Sequence, residues 1–134
     1  MTAQLNTLLR LRQYEVDRCQ SQLAAAILCE QDMAERMTAV NQQRERQQQE
    51  LAALTSRGQL NIDAVRIRQR HLHYLTDQHD KLRSGYEVAE QATRQGRELL
   101  LAADQRRQVV EKLRERLRLE SQARQSRTQA RDSA

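Results

Sequence analysis

The chain has 134 residues and a net charge of +5, with no Pro, Phe or Trp, three Gly, and 31% of its residues Asp, Glu, Lys or Arg. Ala, Leu, Gln, Arg and Glu dominate, and these are strong helix formers. A rounded globule needs bulky apolar residues from several directions to offset the entropy of ordering its backbone, and a mean hydropathy of −0.92 excludes that supply.

From Leu5 an apolar 4-3 repeat runs through Leu9, Arg12, Val16, Cys19, Leu23, Ala26, Glu30, Met33, Met37, Val40, Arg44, Gln47, Leu51 and Leu54. Eleven of these fifteen positions are apolar or Cys. A 3.5-residue period held this long predicts the seam of a coiled coil, in a first helix over about residues 3–56. The regularity also argues against the disorder that a polar, Gln-rich composition would otherwise suggest.

The stretch "TSRGQLNID" then breaks the pattern. Gly58 suits a helix C-terminus, and Asn61 or Asp63 can cap the helix that follows, so a connector is expected over about residues 57–62. A second seam follows through Val65, Arg68, Leu72, Leu75, His79, Leu82, Tyr86, Ala89, Thr93 and Gly96. It is expected to slip phase at Gly96 and resume as Leu99, Ala103, Arg106, Val110, Leu113 and Leu117. The second helix should therefore cover about residues 63–120, with a frayed or disordered basic tail over 121–134. Two such helices joined by a short connection predict an all-α fold, an antiparallel two-helix coiled-coil hairpin of rod-like form with a basic C-terminal extension.

Cys19 and Cys29 are ten apart in one predicted helix, about 15 Å along its axis, so they cannot bridge each other. They are expected to be small buried or half-buried residues in a reducing compartment. The apolar runs "LAAAILC" and "LLLAA" are far too short to span a bilayer, and no signal peptide is recognised. His71, His73 and His79 lack the Cys or acidic partners of a metal site, and no phosphate loop or nucleophile triad is present. No enzyme activity, metal or cofactor is expected.

Charge is uneven. Residues 1–57 carry seven basic and seven acidic side chains, whereas residues 94–131 carry eleven basic against five acidic. Such a basic end could meet phosphate, but Glu98, Asp104, Glu111, Glu115 and Glu120 interrupt it, which favours an acidic protein partner over specific nucleic acid. Leu60, Ile67 and Tyr74 recur every seven residues off the seam, either as a broadened core near the turn or as a docking stripe. Tyr14 and Leu28 stand alone on the first helix.

The segments "LLRLRQYEVDRCQSQLAAA", "GQLNIDAVRIRQRHLHYLTDQHDKL" and above all "LLLAADQRRQVVEKLRERLRLESQAR" resemble the FliJ family of flagellar type III export proteins. The resemblance covers nearly the whole chain, and "RRQVVEKLRER" is its most specific part. It implies a coiled coil similar to the central stalk of rotary ATP synthases, in the bacterial cytoplasm and peripheral to the inner membrane at the export apparatus. Its implied partners are a hexameric FliI-like export ATPase, an FlhA-like export gate and export chaperones. The ATPase-facing end implied for this sequence is Leu5, Leu8, Leu9 and Arg12 with Arg106, Arg107, Lys112, Arg114, Arg116 and Arg118. The implied gate surface is Leu60, Ile67, Leu72, Tyr74 and Leu75, where this chain has Tyr74 and Tyr86 but none of the Trp or Phe of many members. An injectisome stalk of the same class, a self-associating structural coiled coil and a basic nucleic-acid-binding hairpin stay open as alternatives.

Overall fold

A computed structural model of the chain describes residues 2–56 and 61–133. Gly58 and Leu60, expected in the connector and the gate surface respectively, lie outside them. Two helices account for the rest: α1, Thr2–Ser56, and α2, Ile62–Ser133. The fold is all-α, and the two helices pack against each other in antiparallel sense.

Asn61 starts α2. Its side-chain Oδ1 accepts a hydrogen bond from the Ala64 amide at 3.4 Å, and its carbonyl accepts one from the Val65 amide at 3.1 Å. Two amides of the first turn are thereby satisfied, and Asp63 adds a negative charge where the helix dipole favours it.

The chain divides into two compact units, one of Met1–Leu23 with Gln95–Ala134 and one of Ala24–Arg94. In the first, Leu23 packs on Gly96, and Leu5 shares a cavity with Leu117, so residue numbers rise along one helix as they fall along the other. Val16, Ala103 and Val110 are its buried residues. In the second, Met33 packs on Gly85, and Arg68 reaches back to Gln47 and Glu50, which gives the same antiparallel sense. Leu75, Ala89 and Thr93 are buried there, and the Thr93 hydroxyl donates to the Ala89 carbonyl at 3.1 Å, so its burial leaves no group unpaired.

All fifteen seam positions of α1 are buried or half-buried. The α2 seam differs from expectation after Gly96. It continues in unbroken 4-3 steps through Leu100, Ala103, Arg107, Val110, Arg114 and Leu117, of which Arg114 alone is exposed, while Leu99, Arg106 and Leu113 are exposed. The physical reason lies in Arg107, whose half-buried side chain pairs with Asp104 and Glu111, at 2.8 and 2.6 Å, so that its charge is met at the edge of the seam. Cys29 also departs from expectation, being exposed, whereas Cys19 is half-buried.

The α2 helix runs to Ser133, beyond the point near residue 120 where the apolar pattern fades. Every described residue from Arg118 onward is exposed. This stretch has no Gly or Pro to stop a helix, and its backbone is held by local propensity alone, the weakest form of helix support. Amide exchange should show it: protection over 118–133 should be far lower than over 96–117, and equal protection would mean that another surface covers the end.

Gly96 in the seam and Gly85 beside it separate packing from propensity. A Cβ at Gly85 would stand 3.4 Å from the Met33 sulfur, an ordinary contact, so Gly85→Ala should stabilise by about 0.5–1 kcal/mol through helix propensity. A Cβ at Gly96 would stand 3.2 Å from Leu23 Cδ1 and 3.6 Å from its Cα. There a longer side chain meets backbone, and Gly96→Leu should destabilise by roughly 1–3 kcal/mol. Thermal melts of the two variants check both signs.

Candidate functional site

Two surfaces hold the residues singled out in the sequence. In the first unit the N-terminal turns of α1 lie against the late part of α2. Leu5, Leu8, Leu9 and Arg12 are half-buried, as is Arg107, whereas Arg106, Lys112, Arg114, Arg116 and Arg118 are exposed. Thr2 and Leu5 share a cavity of about 600 Å³ with Leu117, Arg114, Arg118 and Arg124, an apolar floor rimmed by guanidinium groups. The structure thus brings together both halves of the expected basic end.

Most of these cations already have anionic neighbours. Arg12 pairs with Glu15 at 3.0 Å, Arg116 lies 3.5 Å from Glu120, and Arg118 pairs with Glu115 at 2.5 Å. Hydrogen bonding from Arg118 lowers the Glu115 carboxyl below the ordinary glutamate range, and the same bond raises Arg118. The bond to Asp104 raises Arg107 further. Each pair follows from i,i+3 or i,i+4 spacing on one helix, so the surface is mixed in charge rather than uniformly basic. Arg106 instead donates from Nε to the Ala102 carbonyl at 3.3 Å.

The sign for Glu115 is plain. A carboxyl depressed in the folded chain contributes its pairing above its unfolded pKa and loses it as pH falls through the lower folded value. A carboxylate titration followed by NMR should place the Glu115 midpoint below that of an ordinary glutamate, and Arg118→Ala should return it upward. An unmoved midpoint would show that the pair does not persist in water.

The expected gate surface divides by depth. Leu75 is 2% exposed and Leu72 is half-buried, so both serve the seam, whereas Ile67 and Tyr74 stand out, Tyr74 at 57% exposure. The His71 ring stacks on Tyr74 with centroids 6.3 Å apart. A groove of about 290 Å³ lined by Gln47, Ala64, Ile67, Arg68 and His71 runs beside them. Sequence spacing singled out Ile67 and Tyr74 but not, for this surface, His71, which stacks on Tyr74 from one turn earlier on the same helix, or Gln47, which α1 brings to the groove. Leu75→Ala should cost roughly 2–4 kcal/mol in a denaturant melt and Tyr74→Ala under about 0.5 kcal/mol, which would separate support from surface.

Among the described residues no three His, Cys, Asp or Glu side chains cluster as metal ligands, and no helix is long and apolar enough to cross a membrane. The family model of the flagellar FliJ protein matches residues 1–133, along both helices and both surfaces. The chain belongs to the FliJ family. No curated protein and no solved structure gives a significant match. Membership places this chain with the flagellar export system, in a non-catalytic family that associates with components of the export apparatus. The exposed basic end and the Ile67 to Tyr74 strip both lie within the matched residues.

Proposed function

We propose that this protein is a stalk of the flagellar export ATPase, gripped in the centre of the hexameric ring by its first unit and contacting the export gate through Ile67, Tyr74 and their neighbours. The observation that carries this reading is the bare end of α2. From Arg118 to Ser133 every residue is exposed, with Arg118, Arg124, Arg127 and Arg131 against Glu120 and Asp132. A single helix whose described residues are all exposed is slender enough to enter a pore, and its positive excess suits a lining of acidic side chains.

In this mechanism the stalk does no chemistry. Binding of its end biases the ring toward the arrangement that turns over ATP, since a ligand shifts an equilibrium only through its differential affinity for two states. Thr2 and Leu5 at the start of α1, beside Leu117, fix where the bare helix leaves the pair. Docking of the other unit on the gate, and hand-over of substrate chaperones there, completes the link.

The test is the ATP hydrolysis rate of the cognate export ATPase with increasing amounts of this chain. Stimulation by the parent chain is expected. The triple variant Arg124→Glu, Arg127→Glu, Arg131→Glu should need about tenfold more protein for half-maximal effect, with each exposed charge contributing roughly 0.5 kcal/mol. Equal stimulation by the variant at the same concentration, or none by the parent with an assembled ring, would sink the reading.

A further inference from the structure

The α2 helix carries a second apolar line beside the one that α1 covers. One residue ahead of Gly96, Leu100, Ala103, Arg107 and Val110 stand Gln95, Leu99, Ala102, Arg106 and Val109, continuing to Leu113. These residues keep the same 4-3 steps and lie about 100° around the helix from the covered seam. Leu99 is 54% exposed and Val109 is 66% exposed, and Leu113 is exposed too.

The groove formed by Gln20, Arg97 and Asp104 marks one flank of the first unit, and the second line runs along the other. On that flank α1 adds Leu8 and the exposed Leu11. They come level with Leu113 and Val109, given that Leu5 lies beside Leu117 and Leu23 on Gly96. The result is a largely apolar strip three to four turns long, with Leu99, Val109, Leu113 and Leu11 exposed and Ala102 and Leu8 half-buried among the described residues.

We propose that this strip pairs with the same strip of a second copy, antiparallel about a two-fold axis. The charge pattern selects both the occupant and the direction. Glu98 and Lys112 flank the line on its outer side, and both are exposed. An antiparallel alignment that sets Leu99 against Val109 of the second copy also sets Ala102 against its Arg106, so that a long stem lies over a small residue. It brings Glu98 to within two residues, about 3 Å along the axis, of the level of Lys112 of the second copy, and symmetry makes that pair twice. A parallel alignment would face Glu98 with Glu98, Arg106 with Arg106 and Lys112 with Lys112, which like-charge repulsion opposes. The antiparallel direction is the one in which opposite charges meet, and it staggers the two Arg106 residues by about 6 Å along the axis. Three to four turns of one helix offer less than the roughly 800 Å² per partner of a stable interface, so the dimer is weak and reversible.

Sedimentation equilibrium of the full chain across micromolar to millimolar concentrations tests this without any ATPase present, so its outcome is independent of the stalk reading. The parent should pass from monomer to dimer. Leu99→Glu with Val109→Glu should weaken dimerisation by more than about tenfold at unchanged helix content by circular dichroism, because both residues are exposed in the monomer. Lys112→Glu alone should weaken it several-fold, and Glu98→Lys combined with Lys112→Glu should restore it, because the swapped charges meet again across the axis. A monomer at every concentration, a dimer indifferent to the Leu99 and Val109 changes, or a charge swap that fails to restore association would each overturn the proposal.

Discussion

The structure depends on how closely the two helices can approach along one narrow seam. Small residues line α2 there: Ala89, Thr93 and Ala103 are buried, and Gly96 packs on Leu23. Only Val16, Leu75, Ala89, Ala103, Val110 and Thr93 are buried among the described residues. A core this thin leaves most side chains of both helices at the surface, and their placement along the helices is what the seam provides.

Charged residues inside that seam set its register. Arg12 is held by Glu15, Arg44 by Asn41, Arg68 by Glu50 and Gln47, and Arg107 by Asp104 and Glu111. Each spends its apolar stem on the seam and its guanidinium on a neighbour at the edge. Arg68 differs from the others because its partners belong to the opposite helix, and it makes the only ion pair between helices among the described residues. A sliding of one turn would break the contacts of Arg68 with Glu50 and Gln47, whereas the other three arginines would carry their partners with them. Polar residues at seam positions thereby trade some stability for a single alignment.

Much of this was legible in the sequence. Every α1 position that a period of 3.5 residues marks is covered, and the remaining covered residues, Leu8, Glu15, Ile27, Ala34 and Asn41, each adjoin one of them in the chain. In α2 the expected seam matches the covered one as far as Gly96; beyond it Ala103, Val110 and Leu117 are covered as expected, whereas Leu100 and Arg107 are covered in place of Leu99 and Arg106, and Leu113 is exposed. The run Leu99, Leu100, Leu101 offers three phases, and a slip at Gly96 selects Leu99. Unbroken 4-3 stepping from Thr93 points to Leu100. Spacing alone does not show which of the adjacent arginines turns inward; it is Arg107, which has acids three residues before and four residues after it. For the same reason the basic end was recognisable as a stretch, but the pairing of each cation was not, since that depends on which helix face turns outward.

The exposed line beside the seam is informative in itself. Leu99, Val109 and Leu113 lie at coiled-coil spacing although the seam does not cover them, and exposed apolar residues on a thin helix pair carry a solubility cost unless something covers them. If the first unit enters a ring, the slender form is the monomer, because pairing along the second line would double the number of helices at that end from two to four. Insertion and self-association would then exclude each other, and the protein concentration would set how much slender form is free. A weak dimer suits that arrangement better than a tight one: it shields the apolar line when the chain is abundant and yields to any partner with higher affinity for the single form.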